Sequence, residues 1–261
     1  MTTWDPQQYE RFSDLRSRPF GDLVARVGAE RPSIVVDLGC GNGPLTLGLA
    51  DRWPGASITG VDSSEAMLER ARSLDADGRV RWVRHDVSTW NPSEDIDVIV
   101  TNATLQWVPG HVALIERWLR ALPTGGWFAM QVPGNFDAPS HRIIREVAHE
   151  HRRAAELTGA LRESPVETPE RYAGVLAQAC DHVDVWETTY LQLLDPHGEQ
   201  RSPVLEWVKG TALRPLLDVL DDAEREGFLA ELVSRFDAAY PRAAYGVAMP
   251  FRRIFAVGRK G

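Results

Sequence analysis

Apolar residues change their spacing along the chain in a regular order. Phe20, Leu23, Val24 and Val27 fall at i, i+3, i+4 and i+7, the period of one helix face. Residues 34–38 then form a short β-branched run, as a strand buried on both faces does. Pro44 fits the first turn of a helix with Leu45 and Leu49 on one side. Residues 57–62 predict a second strand, and Met67, Leu68, Ala71 and Leu74 a helix behind a serine cap. Alternation over 79–86 predicts a third strand, the apolar run 97–103 a fourth, and residues following the glycine turn at 125–126 a fifth, with a helix over 112–122. This rhythm predicts an α/β fold built on a doubly wound parallel sheet.

The pattern changes after the fifth strand. Residues 139–157 predict one helix with Ile143, Ile144, Val147 and Ala148 facing inward, and residues 182–194 a sixth strand. A mostly helical block follows over about 200–240, with Phe228, Leu229, Leu232, Val233 and Phe236 on one face. In the closing strand, 251–259, Phe251, Arg253, Phe255 and Val257 share a side. The expectation is a single domain: N-terminal helices over 1–33, a ligand-binding core over 34–133, and the rest of the sheet over 134–261 with a helical insertion at about 198–242. That insertion and the N-terminal helices are the expected cap over the strand ends.

Composition narrows the partners. A formal net charge of −8 over 261 residues excludes a broad nucleic-acid face, which needs a basic stripe, but leaves room for a small anion held by a few arginines. Cys40 and Cys180 stand far apart in no metal-ligand spacing, so they are expected to be reduced thiols, with no bound metal. The start of the chain has no apolar signal core and no window reaches membrane-span length, so the expected location is the cytoplasm.

The candidate chemistry lies at four predicted strand ends, where open α/β sheets bind ligands. The first reads Asp37-Leu-Gly39-Cys-Gly41-Asn-Gly43. A dinucleotide loop needs G-x-G-x-x-G, and Pro44 stands where its third glycine belongs. The G-x-G-x-G pattern behind an acid resembles motif I of class I methyltransferases that use S-adenosylmethionine (SAM). Asp62, closing the second strand, can accept hydrogen bonds from both ribose hydroxyls, a feature SAM sites share with nicotinamide sites. The resemblance implies that Asp86 accepts from the adenine amino group. It also implies that the Asn102 segment of "TNATLQW" meets the methionine end of SAM, with Trp107 near the transferred methyl.

SAM carries its own leaving group, so the protein's task is to align a nucleophile, and no catalytic acid or base is expected. The chain has no Asn-Pro-Pro-Tyr-like run, no paired metal carboxylates and no evident histidine base. A carboxylate suits this poverty, because a pKa near about 4 leaves it ionised at neutral pH. Arginine holds such groups by bidentate pairing. Arg18, Arg214 and Arg253 lie in suitable segments, and Tyr9, Gln131, Trp207 and Tyr172 are further candidates, more often packing residues.

Several stretches resemble the trans-aconitate 2-methyltransferase family over nearly the whole chain. They are W-D-P-x-x-Y (from Trp4), F-S-x-x-R-S-R-P (from Phe12), "DLGCGNG", "ITGVDSS" with Ala66-Met67, "NATLQW", the segment Asp184–Tyr190, "ALRP" (from Ala212) and F-x-R-I-F (from Phe251). The glycine motifs are shared superfamily-wide; the N-terminal, Leu-Arg-Pro and C-terminal pieces discriminate. The loop departs slightly, with Asn42 and Pro44 where many relatives carry proline, threonine or serine. The resemblance implies a Rossmann-like seven-stranded sheet with a helical cap, and transfer of a methyl from SAM to one carboxylate of trans-aconitate. It implies cofactor contacts from Arg18, Asp37, Gly39, Gly41, Asp62, Ser63, Asp86, Val87 and Asn102. Substrate contacts would come from Tyr9, Trp107, Gln131, Trp207, Arg214 and Arg253, and Arg18 could serve either ligand. Rival readings are a methyltransferase acting on another small acid or a malonyl carrier, a nicotinamide-dependent oxidoreductase, and a non-catalytic SAM-binding protein.

Overall fold

The structure is a computed structural model that describes residues 13–93, 95–161, 165–210 and 212–261. Helix α1 (Ser13–Val24) precedes β1 (Ile34–Leu38), and strands and helices then alternate except between β3 and β4. In order come α2 (Pro44–Arg52), β2 (Ser57–Asp62), α3 (Glu65–Leu74), β3 (Val80–Arg84), β4 (Val98–Asn102), α4 (His111–Ala121) and β5 (Trp127–Pro133). Strands β1 to β5 pair in parallel in the order β3-β2-β1-β4-β5. Local sequence explains the helix starts. Pro44 opens α2, where its missing N–H costs nothing, and the Ser64 hydroxyl caps α3 by accepting from the Met67 N–H at 3.4 Å. Met67, Leu68 and Ala71 are buried as the period predicts, whereas Leu74 is exposed at the end of α3.

The remaining elements are α5 (Pro139–Glu150), α6 (Ala154–Ala160), α7 (Pro169–Leu176), β6 (Cys180–Leu194), α8 (Pro203–Lys209), α9 (Arg214–Leu217), α10 (Asp222–Ala239), β7 (Arg242–Ala243) and β8 (Gly246–Lys260). The full sheet has eight strands in the order β3-β2-β1-β4-β5-β8-β6, with two-residue β7 beside β8. The seven-strand path is the expected one, but the sheet is not wholly parallel, because β8 runs antiparallel to β5. The strand–helix rhythm that foretells parallel pairing ends before β8. That strand follows β7 through a tight turn at Gly246, and an antiparallel neighbour needs no crossover helix.

Two further boundaries differ from expectation. The predicted helix over 139–157 breaks at residues 151–153, where Arg152 and Arg153 both turn to the carboxylate of Glu224. Glu224 also closes a capping box with Asp221 at the start of α10, so one acid fixes a helix start and a helix break. The helical block over about 200–240 resolves into α8, α9 and α10.

The chain forms two compact units. The first comprises Met1–Pro133, Pro165–Thr188 and Arg253–Gly261. Its core gathers Val36, Leu38, Ile99, Trp118, Phe128, Met130, Tyr172 and Ile254 among others. The second comprises Gly134–Ser164 and Thr189–Arg252, where α5 packs on α10 through Ile143, Ile144, Val147, Phe228, Leu232 and Phe236. Both cysteines are free thiols. Among the described residues, no helix is long and apolar enough to cross a membrane, and no cluster of His, Cys, Asp or Glu could hold a metal ion.

Candidate active site

The first unit places β1 between β2 and β4, so its carboxyl end opens where neighbouring strands diverge in chain order. The glycine loop leaves β1 there. The N–H groups of Gly39 and Cys40 both donate to the Val61 carbonyl, at 2.8 and 3.0 Å, and the Gly41 N–H donates to Asp62 Oδ2 at 2.9 Å. Three successive loop donors therefore face β2, and Pro44 supplies none at the start of α2. A pyrophosphate cradle depends on such donors pointing outward. This loop offers close backbone approach while turning the N–H groups of Gly39, Cys40 and Gly41 toward β2, which suits a cofactor lacking phosphate.

Two glycines are required for different reasons. Gly39 has φ +80°, and a Cβ on it would overlap the Thr104 side chain. Gly41 has φ +57°, and a Cβ there would meet nothing within 4 Å. The loop therefore abuts the turn after β4 at Gly39 and presents open space at Gly41. Thr104 locks the two segments together, its hydroxyl lying 3.1 Å from the Asn102 carbonyl and 3.4 Å from that of Gly39. Trp82 supports the loop from below, lying against both Gly43 and Gly60, with its indole N–H donated to Asp75 at 3.1 Å.

The acids divide into a support and two rim groups. Asp37 is 3% exposed, and Thr46 donates to its Oδ2 at 2.6 Å. Burial pushes this carboxyl up to about 7, the Thr46 bond opposes the rise, and the Asp62 charge adds to it. Asp62 is half-buried; its Oδ1 accepts from the Ser64 N–H at 2.8 Å, and its Oδ2 from Gly41. Burial raises the Asp62 pKa against the pull of those N–H groups. Each oxygen carries a second lone pair, so Asp62 can still accept from a diol. Asp86, exposed, receives the Ser88 N–H and hydroxyl on Oδ1, at 2.8 and 2.7 Å, and the hydroxyl bond holds its pKa below the usual carboxylate range. Ser63 is exposed beside Asp62, and Val87 is buried in the core behind Asp86.

Asp37 gives a signed prediction. The folded state keeps this proton to higher pH than the unfolded chain, whose aspartate titrates near 3.8, so the group's contribution to stability falls as pH rises from about 4 to about 7. Asp37→Asn keeps an acceptor for Thr46 and removes the titration. Urea melts at about pH 5 and about pH 8 should show the natural protein losing stability relative to the variant, by up to a few kcal/mol (order of magnitude). Parallel melts at both pH values would refute the buried-acid reading.

Beyond the loop, the ends of β4 and β5 form a polar floor. Register pairs Asn102 with Gln131 and Gln131 with Phe255, two residues from Arg253, and opposed strand residues share a face. Arg253 accordingly donates from Nη1 to Gln131 Oε1 at 3.0 Å, with Gln131 0% and Arg253 4% exposed. Asn102 Oδ1 and Gln131 Nε2 are buried without a hydrogen-bond partner among the described residues. Ala103 sits at φ +53°, a left-handed conformation unusual outside glycine. It is held there by donating its N–H to the Gln131 carbonyl at 2.9 Å and by accepting from Gln106 Nε2 at 2.7 Å. Trp107 closes the adjacent 3-10 turn, Leu105–Trp107.

The other predicted residues are described within their own units. Arg18 is on the exposed side of α1. In the second unit, Arg214 is half-buried at the start of α9, and Trp207 is buried edge-on to Phe251 at 5.6 Å. Tyr172 is a core residue of the first unit, its hydroxyl 2.8 Å from His111 Nε2. Tyr9 lies outside the described residues.

Comparison with known proteins identifies the family. Residues 35–126 match the family described as methyltransferase domain. Trans-aconitate 2-methyltransferase of Streptomyces coelicolor is 50% identical over 267 positions, covering 99% of this chain and 87% of the relative. The chain belongs to the trans-aconitate 2-methyltransferase family. The Rhodococcus jostii enzyme of that name is 51% identical over 259 positions, covering 98% of this chain and 99% of its own. In fold, this family member resembles phosphoethanolamine N-methyltransferase 2 of Haemonchus contortus, solved with phosphomonomethylethanolamine and S-adenosylhomocysteine. That similarity has a TM-score of 0.54 at 16% identity and covers 94% of this chain and 53% of the longer one. Five residues to which the sequence assigned no role also shape this region: Thr46, Trp82, Ala103, Thr104 and Gln106. Ala103, Thr104 and Gln106 lie inside the NATLQW motif, whereas Thr46 and Trp82 lie outside the quoted motifs and meet the glycine loop only through the fold.

Proposed function

We propose that this protein transfers the methyl group of SAM to a carboxylate of trans-aconitate, giving a monomethyl ester and S-adenosylhomocysteine. The observation that carries the reading is identity of about one residue in two to trans-aconitate 2-methyltransferases over 99% of the chain. The site residues fit the cofactor. Gly41 leaves open space at the loop, Asp62 and Asp86 keep acceptor capacity, and the N–H groups of Gly39, Cys40 and Gly41 are turned to β2.

When bound, SAM supplies an electrophilic methyl on a sulfonium, so the chemistry asks the protein for alignment. In the proposed arrangement Asp62, with Ser63 beside it, holds the ribose hydroxyls, and Asp86 and Val87 bound the adenine. Gly39, Gly41 and Asn102 border the methionine portion, with Asp37 fixing the loop from beneath and Arg18 serving the cofactor carboxylate or the substrate. Trp107 shapes the space around the methyl. Arg253 with Gln131, and Arg214 with Trp207 and Tyr9, are the proposed acceptor residues. The acceptor carboxylate is ionised at neutral pH and needs no base. The arginines hold it in place and strip its water, so one oxygen lone pair is free for in-line attack. The proposed location is the cytoplasm, which the two free thiols suit. No nucleic acid enters the proposal, given the net charge of −8.

The test uses radiolabelled SAM with a panel of di- and tricarboxylic acids, followed by alkali. Label should enter trans-aconitate fastest and leave as methanol in base, as an ester does. Base-stable label, or a faster monoacid, overturns the reading. Arg214→Ala should lower kcat/KM for trans-aconitate about ten- to hundredfold, the equivalent of about 1.5–3 kcal/mol for a charged hydrogen bond. An unchanged kcat/KM removes Arg214 from the site.

A further inference from the structure

We infer that Arg117 is a positioning residue for the cofactor: from helix α4 it holds the turn after β3, and through that turn the Asp86 carboxylate. The inference rests on the proposed contact of Asp86 with the adenine amino group. Asp86 stands exposed at the start of a short turn over residues 86–90. Two main-chain bonds close that turn. The Thr89 N–H donates to the Asp86 carbonyl at 3.1 Å, and the Trp90 N–H to the Val87 carbonyl at a longer 3.4 Å. Helix α4 adds the outside support. Arg117 Nη2 donates to the Trp90 carbonyl at 2.9 Å and reaches the Ser88 carbonyl at 3.5 Å. Trp118, the next residue, donates its indole N–H to the same Trp90 carbonyl at 3.3 Å and meets the Trp90 ring edge-on at 6.0 Å. Trp118 is wholly buried in the core and Arg117 Nε is itself buried, so both donors start from a fixed base.

Ser88 is the link between this support and the acid. Its carbonyl faces Arg117, while its N–H and hydroxyl both donate to Asp86 Oδ1, at 2.8 and 2.7 Å. Oδ1 is thereby engaged, which leaves Oδ2 to accept from a ligand. A hydrogen bond to an amino group needs a set direction from the carboxylate, and an exposed turn keeps one only when a rigid element holds it. A guanidinium suits that task, because one terminal nitrogen carries two hydrogens in a fixed plane and serves two carbonyls at once. Arg117 acts on the main chain of the turn, so its effect on the cofactor passes through Asp86.

The test compares two ligands by calorimetry: S-adenosylhomocysteine, and S-inosylhomocysteine, in which an oxygen acceptor replaces the amino donor. The natural protein should bind the first at least tenfold more tightly. Arg117→Met removes the donors and keeps an unbranched apolar stem. It should weaken S-adenosylhomocysteine about five- to tenfold and change S-inosylhomocysteine less than twofold, so that the preference collapses. KM for SAM should rise by the same factor, with kcat at saturating SAM little changed. A merely structural role would weaken both ligands alike or neither, and either result overturns the inference. Asp86→Ala is measured alongside. If it abolishes the preference while Arg117→Met retains it, the inference falls and the adenine contact of Asp86 stands. No preference in the natural protein, or one that Asp86→Ala retains, removes Asp86 from the adenine and the inference with it. Should Arg117→Met lose its fold, judged by melting, Arg117→Gln decides. Its amide is too short to serve both carbonyls, and a several-fold loss of preference is expected, with an unchanged preference overturning the inference.

Discussion

Asp62→Asn is expected to weaken SAM binding about ten- to hundredfold, the equivalent of losing about 1.5–3 kcal/mol at a charged hydrogen bond. The effect has two sources in one side chain. Asp62 accepts from Gly41 on Oδ2 and from Ser64 on Oδ1. An amide can satisfy only one of these donors and turns its NH2 toward the other, so the glycine loop or the start of α3 loses its anchor. The same exchange halves the acceptors left for the ribose diol. Titration calorimetry with S-adenosylhomocysteine measures the loss directly, and kcat at saturating SAM should change much less, since the methyl and its acceptor lie elsewhere. An unaltered Kd would remove Asp62 from the cofactor site. Because burial raises the Asp62 pKa, affinity should also fall toward acid pH, where the protonated group loses an acceptor.

Gly39→Ala and Gly41→Ala should fail in opposite ways. At Gly39 the left-handed backbone costs an L-residue about 1–2 kcal/mol, and the new methyl overlaps Thr104, so the total expected loss of stability is about 3 kcal/mol or more. Thr104→Ala in the same chain should restore part of this, because it removes the overlap and leaves the backbone term. At Gly41 only the backbone term applies, about 1–2 kcal/mol, since nothing lies within 4 Å of the added carbon. That carbon fills the open space the cofactor is proposed to use, so the protein should stay folded and bind S-adenosylhomocysteine at least tenfold more weakly. Denaturant melts and calorimetry on both variants give the contrast. A Gly41→Ala protein that binds normally would mean the ligand does not approach there.

Much of this was legible in the chain. The helical and strand periods placed the strands of the first half and the α-helices between them, because burial on one or both faces imposes those periods locally; the first helix runs over Ser13–Val24 where its face was read at 20–27, and the short 3-10 turn Leu105–Trp107 has no period to read. Pro44 in the sequence separates the loop from a dinucleotide fingerprint, and the structure supplies the reason: the donors of Gly39, Cys40 and Gly41 all face β2. The alternation Phe251, Arg253, Phe255 in the last strand already put Arg253 on the inward face. The antiparallel course of β8 was not legible, because strand direction depends on how the chain re-enters the sheet. Nor was the break between α5 and α6, where the demand of Glu224 for Arg152 and Arg153 overrides helical periodicity.

The site divides along the same line. The sequence by itself determined the fold class, the glycine loop, the acids at the strand ends and the family, since each is written within a short segment. Only the tertiary structure decided that Asp37 is a buried support held by Thr46, that Thr104 locks the loop to the turn after β4, and that Gln131 holds Arg253. These facts join residues as far as 122 positions apart. Local propensity cannot encode such pairs; strand register and the exclusion of water from the sheet bring them together.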